Sequence, residues 1–386
     1  MVATTASGLN FNRRNFAGQV TALPWGLILL LCAMGTIGVA ILHSATFTNP
    51  AEAGLPMVQA QRLGAALVIM IVAGLVPLRW WLRLAWPSYF ATLILLVGVE
   101  LFGVTGGGAT RWLKVGPIVV QPSEFMKVAL TLALAAYYHR QLSQTNDRFF
   151  IHIPALVMIL VPAVLVFLQP DFGTTLALIA SGGALIVFAG LSRWIILGAV
   201  CAAAASVPIV YNFVLQDYQR ERVDTFVAQL SGDAVNTMDD GYQTEQAKIA
   251  IGSGHWTGKG YMEGTQAQLD YIPEQHTDFI LTVLAEEFGF LTTTGVLLMW
   301  MIILGLSLLI ASRASSLFGR FAAAGAVMTV TFYILFNAAM VLGLLPVVGV
   351  PLPLLSYGGT VMLTTAACFG IVCAVHLGKD SPLQQS

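Results

Sequence analysis

The chain has 386 residues, of which 57% are hydrophobic and only 10% charged, with a mean hydropathy of +0.80 and a formal net charge of −1. Soluble domains carry about 25% charged residues, and here uncharged runs long enough to cross a bilayer recur along the chain, so composition excludes a soluble globular protein. The near-zero net charge gives no electrostatic footprint for nucleic acid, and no nucleic-acid partner is expected.

Residues 1–23 are polar, include Arg13 and Arg14, and read as a disordered lead. The first apolar run, Pro24 to Leu42, exceeds a signal-peptide core and lacks a cleavage site, which predicts a retained first span. Spans are predicted over 24–46, 60–78, 84–104, 122–139, 151–169, 172–192, 194–216, 277–312, 320–343 and 359–377. The last two come from one uncharged stretch, 321–378, which Pro346, Gly349, Pro351, Pro353, Gly358 and Gly359 divide. The 277–312 span is longer than a bilayer requires, so its first turns should bend or lie in the interface. The expected fold is an all-α polytopic membrane protein, a single bundle over 24–377 with about ten transmembrane helices. A large extracytoplasmic loop, 217–276, separates spans 7 and 8, and a short tail, 378–386, closes the chain.

Ten spans place both termini on one side. That side collects Arg13, Arg14, Arg79, Arg83, Arg140, Arg148, Arg193, Arg313, Arg320 and Lys379 against only Asp147 and Asp380. The positive-inside rule then puts both termini in the cytoplasm and the 217–276 loop outside a cytoplasmic (inner) membrane. Within that loop, charged residues from Asp217 to Asp224, an acidic patch at Asp239 and Asp240, and Pro273 suggest amphipathic helical pieces on the membrane surface. Cys32, Cys201, Cys368 and Cys373 lie inside apolar runs and read as small buried hydrophobes rather than a disulfide or zinc framework.

Polar residues gather at four junctions on the outer side. In the first, Arg111 and Lys114 precede Gln121-Pro-Ser-Glu-Phe-Met-Lys127, with Pro122 suited to the first turn of a helix. Glu124 and Lys127 are three apart and share a helix face; they form either a structural ion pair or a charge pair lining a cavity. The second is Gln169-Pro-Asp-Phe-Gly-Thr-Thr175, where Asp171 is a helix cap or part of a polar floor. The third runs from Gly252 through Gly254, Gly258, Lys259 and Gly260 to Pro273-Glu-Gln-His-Thr-Asp278. Its glycines read as a tight turn more readily than a phosphate cradle, since no Walker pattern is present, and His255 and His276 match no familiar metal spacing. On a helix counted from Pro273, Glu274 precedes Asp278 by one turn and Glu286 lies about 80° from it. Asp278 is either a helix-terminal carboxylate or a general base at the membrane surface, its pKa raised by partial desolvation. In the fourth, Gly349 to Gly359, a breaker-rich backbone near a bilayer implies that Ser356 and Tyr357 face a polar interior.

Together these junctions resemble the SEDS family (shape, elongation, division, sporulation) of bacterial cell-wall proteins. The matching residues are Arg111-Trp-Leu, Gln121 to Lys127, Gln169 to Thr174, Gly252-Ser-Gly with Gly258-Lys-Gly, Pro273 to Phe279, and Pro351 to Gly359. Gly264-Thr-Gln-Ala-Gln-Leu before Ile272-Pro-Glu is similar to the RodA (elongation) branch; His255-Trp256 departs from the Gly-Leu common at that point. The resemblance implies a peptidoglycan glycosyltransferase that polymerises lipid II with inversion, usually beside a class B penicillin-binding protein that cross-links the strands. It also implies a catalytic carboxylate at Asp278 and functional charges at Glu124 and Lys127. For that chemistry Arg111, Lys114, Lys127 and Lys259 are candidate cations opposite the base, or a divalent metal shares the task; no organic cofactor is expected. Membrane lipids are expected around the bundle. The alternatives are a lipid II flippase, with Glu124, Lys127 and Asp171 along its path, and a non-catalytic scaffold. Crowding of polar residues on one side and a base beside the long loop favour the transferase.

Overall fold

The computed structural model describes residues 16–106, 109–115, 118–142, 150–213, 215, 217–231, 240–269 and 271–378. The charges Arg13, Arg14, Asp147, Arg148, Asp239, Lys379 and Asp380 lie outside the described residues. A short helix, α1 (Phe16–Thr21), stands where a disordered lead was expected. The elements then follow as α2 (Trp25–Ala45), α3 (Leu55–Leu75), α4 (Leu78–Phe102), β1 (Val104–Gly106), β2 (Ala109–Val115), β3 (Ile118–Val120), α5 (Pro122–Gln141), α6 (His152–Leu168), α7 (Phe172–Phe188) and α8 (Arg193–Phe213). After them come α9 (Asp217–Ser231), α10 (Asp240–Ser253), α11 (Thr265–Gln268), α12 (Ile280–Ser312), α13 (Leu317–Val341) and α14 (Gly359–Leu377).

Seven of these helices, α2, α3, α4, α8, α12, α13 and α14, are long and apolar enough to cross a membrane, and α6 and α7 are apolar helices of 17 residues each. With α5, they account for every predicted span, and the chain is a multi-pass membrane protein. α5 carries Glu124, Lys127 and Arg140, yet almost all of it is buried. Its run of alanines lets neighbouring backbones approach closely, as small residues do between membrane helices, and α4, α7, α13 and α14 surround it. Cys368 and Cys373 are buried as expected, but Cys201 is exposed on α8, which is exposed along most of its length.

The helix ends sort into two faces. One, the loop face, carries the long 217–276 segment and all four polar junctions. The other carries Arg79, Arg83, Arg140, Arg193, Arg313 and Arg320 near helix ends. On the loop face, 104–120 is an antiparallel three-stranded ribbon, with Trp112 opposite Val104 and Lys114 opposite Val119. This is a departure from the all-α expectation; the strands carry β-branched and aromatic residues such as Val104, Trp112, Val119 and Val120.

The long α12 is broken at Gly289, whose φ of 73° and ψ of −177° are non-helical. The glycine-rich turn before it supplies the reason. Lys259 and Gly260 donate their backbone N–H groups to the carbonyls of Glu286 (3.1 Å) and Glu287 (2.9 Å), and Phe290 and Leu291 donate to His255 (2.9 Å) and Trp256 (3.2 Å). The turn thus satisfies backbone groups that the break releases from the helix. A Cβ on Gly258, which has φ +81°, would stand 2.1 Å from the Glu287 carbonyl oxygen, and one on Gly289 would stand 2.3 Å from the Gly258 nitrogen. Close approach of two backbones is what requires glycine here.

Candidate functional site on the loop face

The four polar junctions converge. Pro122 opens α5 after Gln121, and one turn later Glu124 and Lys127 face the bundle interior at 3% and 1% exposure. Lys127 Nζ donates to Glu124 Oε1 at 2.7 Å. Tyr333 of α13 donates its hydroxyl to the other Glu124 oxygen and accepts from Lys127, whose ammonium also lies 4.3 Å from the Tyr333 ring centre. A buried charge pair needs such additional hydrogen bonds to offset its desolvation.

From Gln121 the network passes to the second junction. Gln121 Nε2 donates to Asp171 Oδ2 at 3.0 Å, while Asp171 Oδ1 caps α7 by accepting from the Thr174 N–H at 3.1 Å. Asp171 is therefore both a cap and a member of the polar floor. Arg111, on β2, donates to the carbonyls of Gln169 and Pro170, tying the ribbon to the turn between α6 and α7. Lys114 is exposed on the same strand.

The second junction meets the fourth where Gly173 packs on the 348–350 loop; a Cβ there would lie 2.6 Å from the Val348 carbonyl oxygen. Ser356 Oγ accepts from the Leu352 N–H at 2.8 Å and closes the proline-rich turn. Tyr357 donates its N–H to the His276 carbonyl at 2.9 Å and lies under the Arg62 guanidinium, 4.6 Å from the ring centre.

Asp278 stands where these meet, half-buried, with a carboxylate oxygen 3.6 Å from the position a Cβ would take on Gly349. Asn337 of α13, fully buried, clamps it: its Nδ2 donates to the carbonyls of Asp278 (2.7 Å) and Val350 (2.8 Å). Asn337 is one turn along α13 from Tyr333, so one helix face holds both the Asp278 loop and the Glu124–Lys127 pair. The helix counted from Pro273 does not form. Residues 273–279 are a succession of turns in which the N–H groups of Thr277 and Phe279 donate to Glu274, and α12 begins only at Ile280. Asp278 therefore precedes the helix that carries Glu286, and the angle of about 80° expected between them on one helix does not apply.

Lys259 is not brought to Asp278. Its ammonium is 2.5 Å from Glu286 Oε1, which also accepts from Thr265 Oγ1 (3.2 Å) and the Gln266 N–H (3.0 Å), while Oε2 accepts from the Ala267 N–H (3.2 Å). Beside it Glu287 accepts from Ser44 Oγ of α2 at 2.5 Å. These two buried carboxylates anchor the long loop to the membrane bundle, a role invisible in the sequence spacing. His276 Nδ1 lies 3.6 Å from Glu52 Oε2, and among the described residues no three His, Cys, Asp or Glu side chains gather as a metal site. Sequence reasoning passed over Tyr333, Asn337, Arg62 and Gln59. For Arg62, Tyr333 and Asn337 the signal was present, as polar residues inside predicted apolar spans, which in membranes usually face interiors; Gln59 fell just outside the predicted 60–78 span.

The FtsW/RodA/SpoVE family model, described as "cell cycle protein", matches residues 21–380. The peptidoglycan glycosyltransferase MrdB of Escherichia coli K12 is 39% identical over 371 residues, covering 95% of this chain and 96% of that protein. A probable peptidoglycan glycosyltransferase FtsW of Thioalkalivibrio sulfidiphilus is 34% identical over 369 residues, covering 92% and 89%. Among solved structures, a chain from a peptidoglycan synthase complex that coordinates polymerization and crosslinking superposes with a TM-score of 0.78 at 29% identity, covering 93% of this chain and 99% of that one. The rod shape determining protein RodA of Thermus thermophilus gives a TM-score of 0.69 at 26% identity, covering 93% and 98%. A family model spanning the whole bundle, together with relatives matched end to end, makes this chain a member of the FtsW/RodA/SpoVE (SEDS) family.

Proposed function

We propose that the chain is a peptidoglycan glycosyltransferase that polymerises lipid II into glycan strands at the outer face of the cytoplasmic membrane during elongation, with both termini in the cytoplasm. The observation that carries this reading is a chain of contacts that links four distant polar junctions on the loop face of an apolar bundle: Gln121 to Asp171, Gly173 to the 348–350 loop, Gly349 to the half-buried Asp278, and Tyr357 to His276. The 39% identity to a named peptidoglycan glycosyltransferase supports the reaction class, and the arginines near the opposite helix ends support the orientation.

In the proposed reaction the 4-hydroxyl oxygen of an acceptor GlcNAc attacks the anomeric carbon of a donor MurNAc. Asp278 takes the hydroxyl proton as the new C–O bond forms, and the lipid diphosphate departs with the electron pair of the bond it loses, giving inversion. Base catalysis of this kind contributes about 10²–10⁴-fold. Asn337 holds the Asp278 backbone, and Arg111, Glu124, Lys127, Asp171, Ser356 and Tyr357 form the floor that receives the polar head of the substrate. A class B penicillin-binding protein is the proposed partner; a similar chain in a complex coordinating polymerization and crosslinking supports that pairing.

The test is to supply the purified chain and such a partner with lipid II and separate the products by size. Glycan strands are expected. Transfer of intact lipid II across vesicles without polymer would overturn the reading in favour of a flippase.

A further inference from the structure

The helix ends opposite the loop face carry Arg79, Arg83, Arg140, Arg193, Arg313 and Arg320, and among the described residues no carboxylate lies on that face. A cavity of about 270 Å³ opens there between the start of α2 and the ends of α12 and α14, close in size to the smallest ligand sites, at about 300 Å³. We infer that this groove binds an acyl chain of an anionic phospholipid, with Arg313 on its phosphate. The groove lies at the other end of the bundle from Asp278, so the inference goes beyond the glycosyltransferase reading and does not depend on it.

Leu27 of α2 and Leu306, Leu309 and Ile310 of α12 form the apolar walls. From Leu306 to Arg313 the groove follows α12 for about 10 Å along its axis. The hydrocarbon core of a bilayer is about 30 Å thick, so this depth lies within one leaflet. That dimension selects the occupant. A partner's transmembrane helix needs a groove along the whole span and room for a cylinder about 10–12 Å wide. An acyl chain is a single file of methylenes that starts at the headgroup and ends in the same leaflet. Trp25, exposed at the first position of α2, stands between the lining residues Pro24 and Gly26 and marks the headgroup level, as tryptophans do at membrane interfaces.

The mouth supplies the counterpart to a phosphate. Arg313 ends α12, is exposed, and its guanidinium makes no hydrogen bond or ion pair with another described residue. His376, in the last turn of α14, lines the same mouth, and an imidazole N–H is a further donor to phosphate oxygen. A planar guanidinium fits a phosphate through two parallel hydrogen bonds, and basic pockets between helix ends on the cytoplasmic side are where anionic headgroups bind. With both termini in the cytoplasm, the leaflet here is the cytoplasmic one. Gly26 gives a way to close the groove: a Cβ there would meet no atom within 4 Å. A larger side chain therefore fits without displacing a neighbour and takes space from the groove that Gly26 lines.

The experiment measures binding of phosphatidylglycerol, and of zwitterionic phosphatidylethanolamine with the same acyl chains, to the purified full-length chain by native mass spectrometry. Wild type is compared with Arg313→Gln, Arg313→Lys and Gly26→Phe. One cation near the membrane surface changes the binding of an anionic lipid by about 5-fold. Arg313→Gln should therefore weaken phosphatidylglycerol by ~5-fold and phosphatidylethanolamine by less, and Arg313→Lys should keep most of the affinity. Gly26→Phe displaces several methylenes and should weaken both lipids by ~10-fold or more. Where a variant does not fold, wild type decides with phosphatidylglycerol that carries a photoreactive group in its acyl chain. It should label residues 24–27 and 306–310 above other lipid-facing segments. Wild-type phosphatidylglycerol affinity in Gly26→Phe, or labelling spread evenly over the bundle, would overturn the groove. Equal losses of the two lipids in Arg313→Gln would overturn the anionic assignment. Wild-type lipid affinity in Gly26→Phe together with lost co-purification of a class B partner would give the groove to a segment of that partner and overturn the lipid.

Discussion

Replacing Glu286 with alanine should release the long loop from the bundle while leaving the bundle folded. The Glu286 carboxylate is fully buried and accepts from Lys259 Nζ, Thr265 Oγ1, and the N–H groups of Gln266 and Ala267. Its removal strands two backbone donors, at about 1–3 kcal/mol each when they stay buried. The Lys259 side chain is 24% exposed and can turn to water, so its share is discounted toward the small value of an exposed pair. A local loss of ~3 kcal/mol is expected, which corresponds to ~10²-fold in an opening equilibrium. Hydrogen–deuterium exchange of the purified protein in lipid nanodiscs should therefore show residues 264–269 exchanging ~10²-fold faster, with α13 unchanged. Exchange at Gln266 and Ala267 equal to wild type would refute the assignment of Glu286 as the loop anchor.

Two other substitutions probe the interior of the site. Lys127→Met leaves the Glu124 carboxylate buried without its cation and should cost about 3–5 kcal/mol, whereas Lys127→Met with Glu124→Leu should recover most of that loss; thermal unfolding of the purified proteins measures both. Asn337→Leu removes the donor shared by the Asp278 and Val350 carbonyls. Because small displacements of a reacting group are expensive, it should lower kcat for lipid II polymerisation by at least ~10-fold while KM moves less. Equal kcat would show that the clamp does not position Asp278.

Much of this architecture was legible in the sequence because a bilayer imposes long apolar runs, and the breaks between them carry Pro and Gly. The start of α5 at Pro122, the Asp171 cap on α7 and the division of 321–378 into α13 and α14 follow directly from those signals. The Glu124–Lys127 pair was equally legible, since their separation of three residues fixes them on one helix face. What spacing could not reveal was long-range partnership. Tyr333 joins Glu124 across 209 residues of chain, and Ser44 meets Glu287 across 243; neither contact has a local signature. The ribbon at 104–120 was hidden because its strands are short and bounded by glycines, which read equally as an irregular loop. The misplaced angle between Asp278 and Glu286 has one cause. Helical counting assumed a continuous helix from Pro273, whereas turns occupy that stretch and Asp278 is held by Asn337 from another helix.

The assignment of Asp278 as the base is tested most directly by Asp278→Asn, which keeps the side-chain shape and removes the proton acceptor. Lipid II polymerisation by the folded variant, measured beside wild type with its class B partner, should fall by ~10²-fold or more, while undecaprenyl diphosphate binding stays within a few-fold of wild type. Glycan formation at the wild-type rate by the variant would contradict the account.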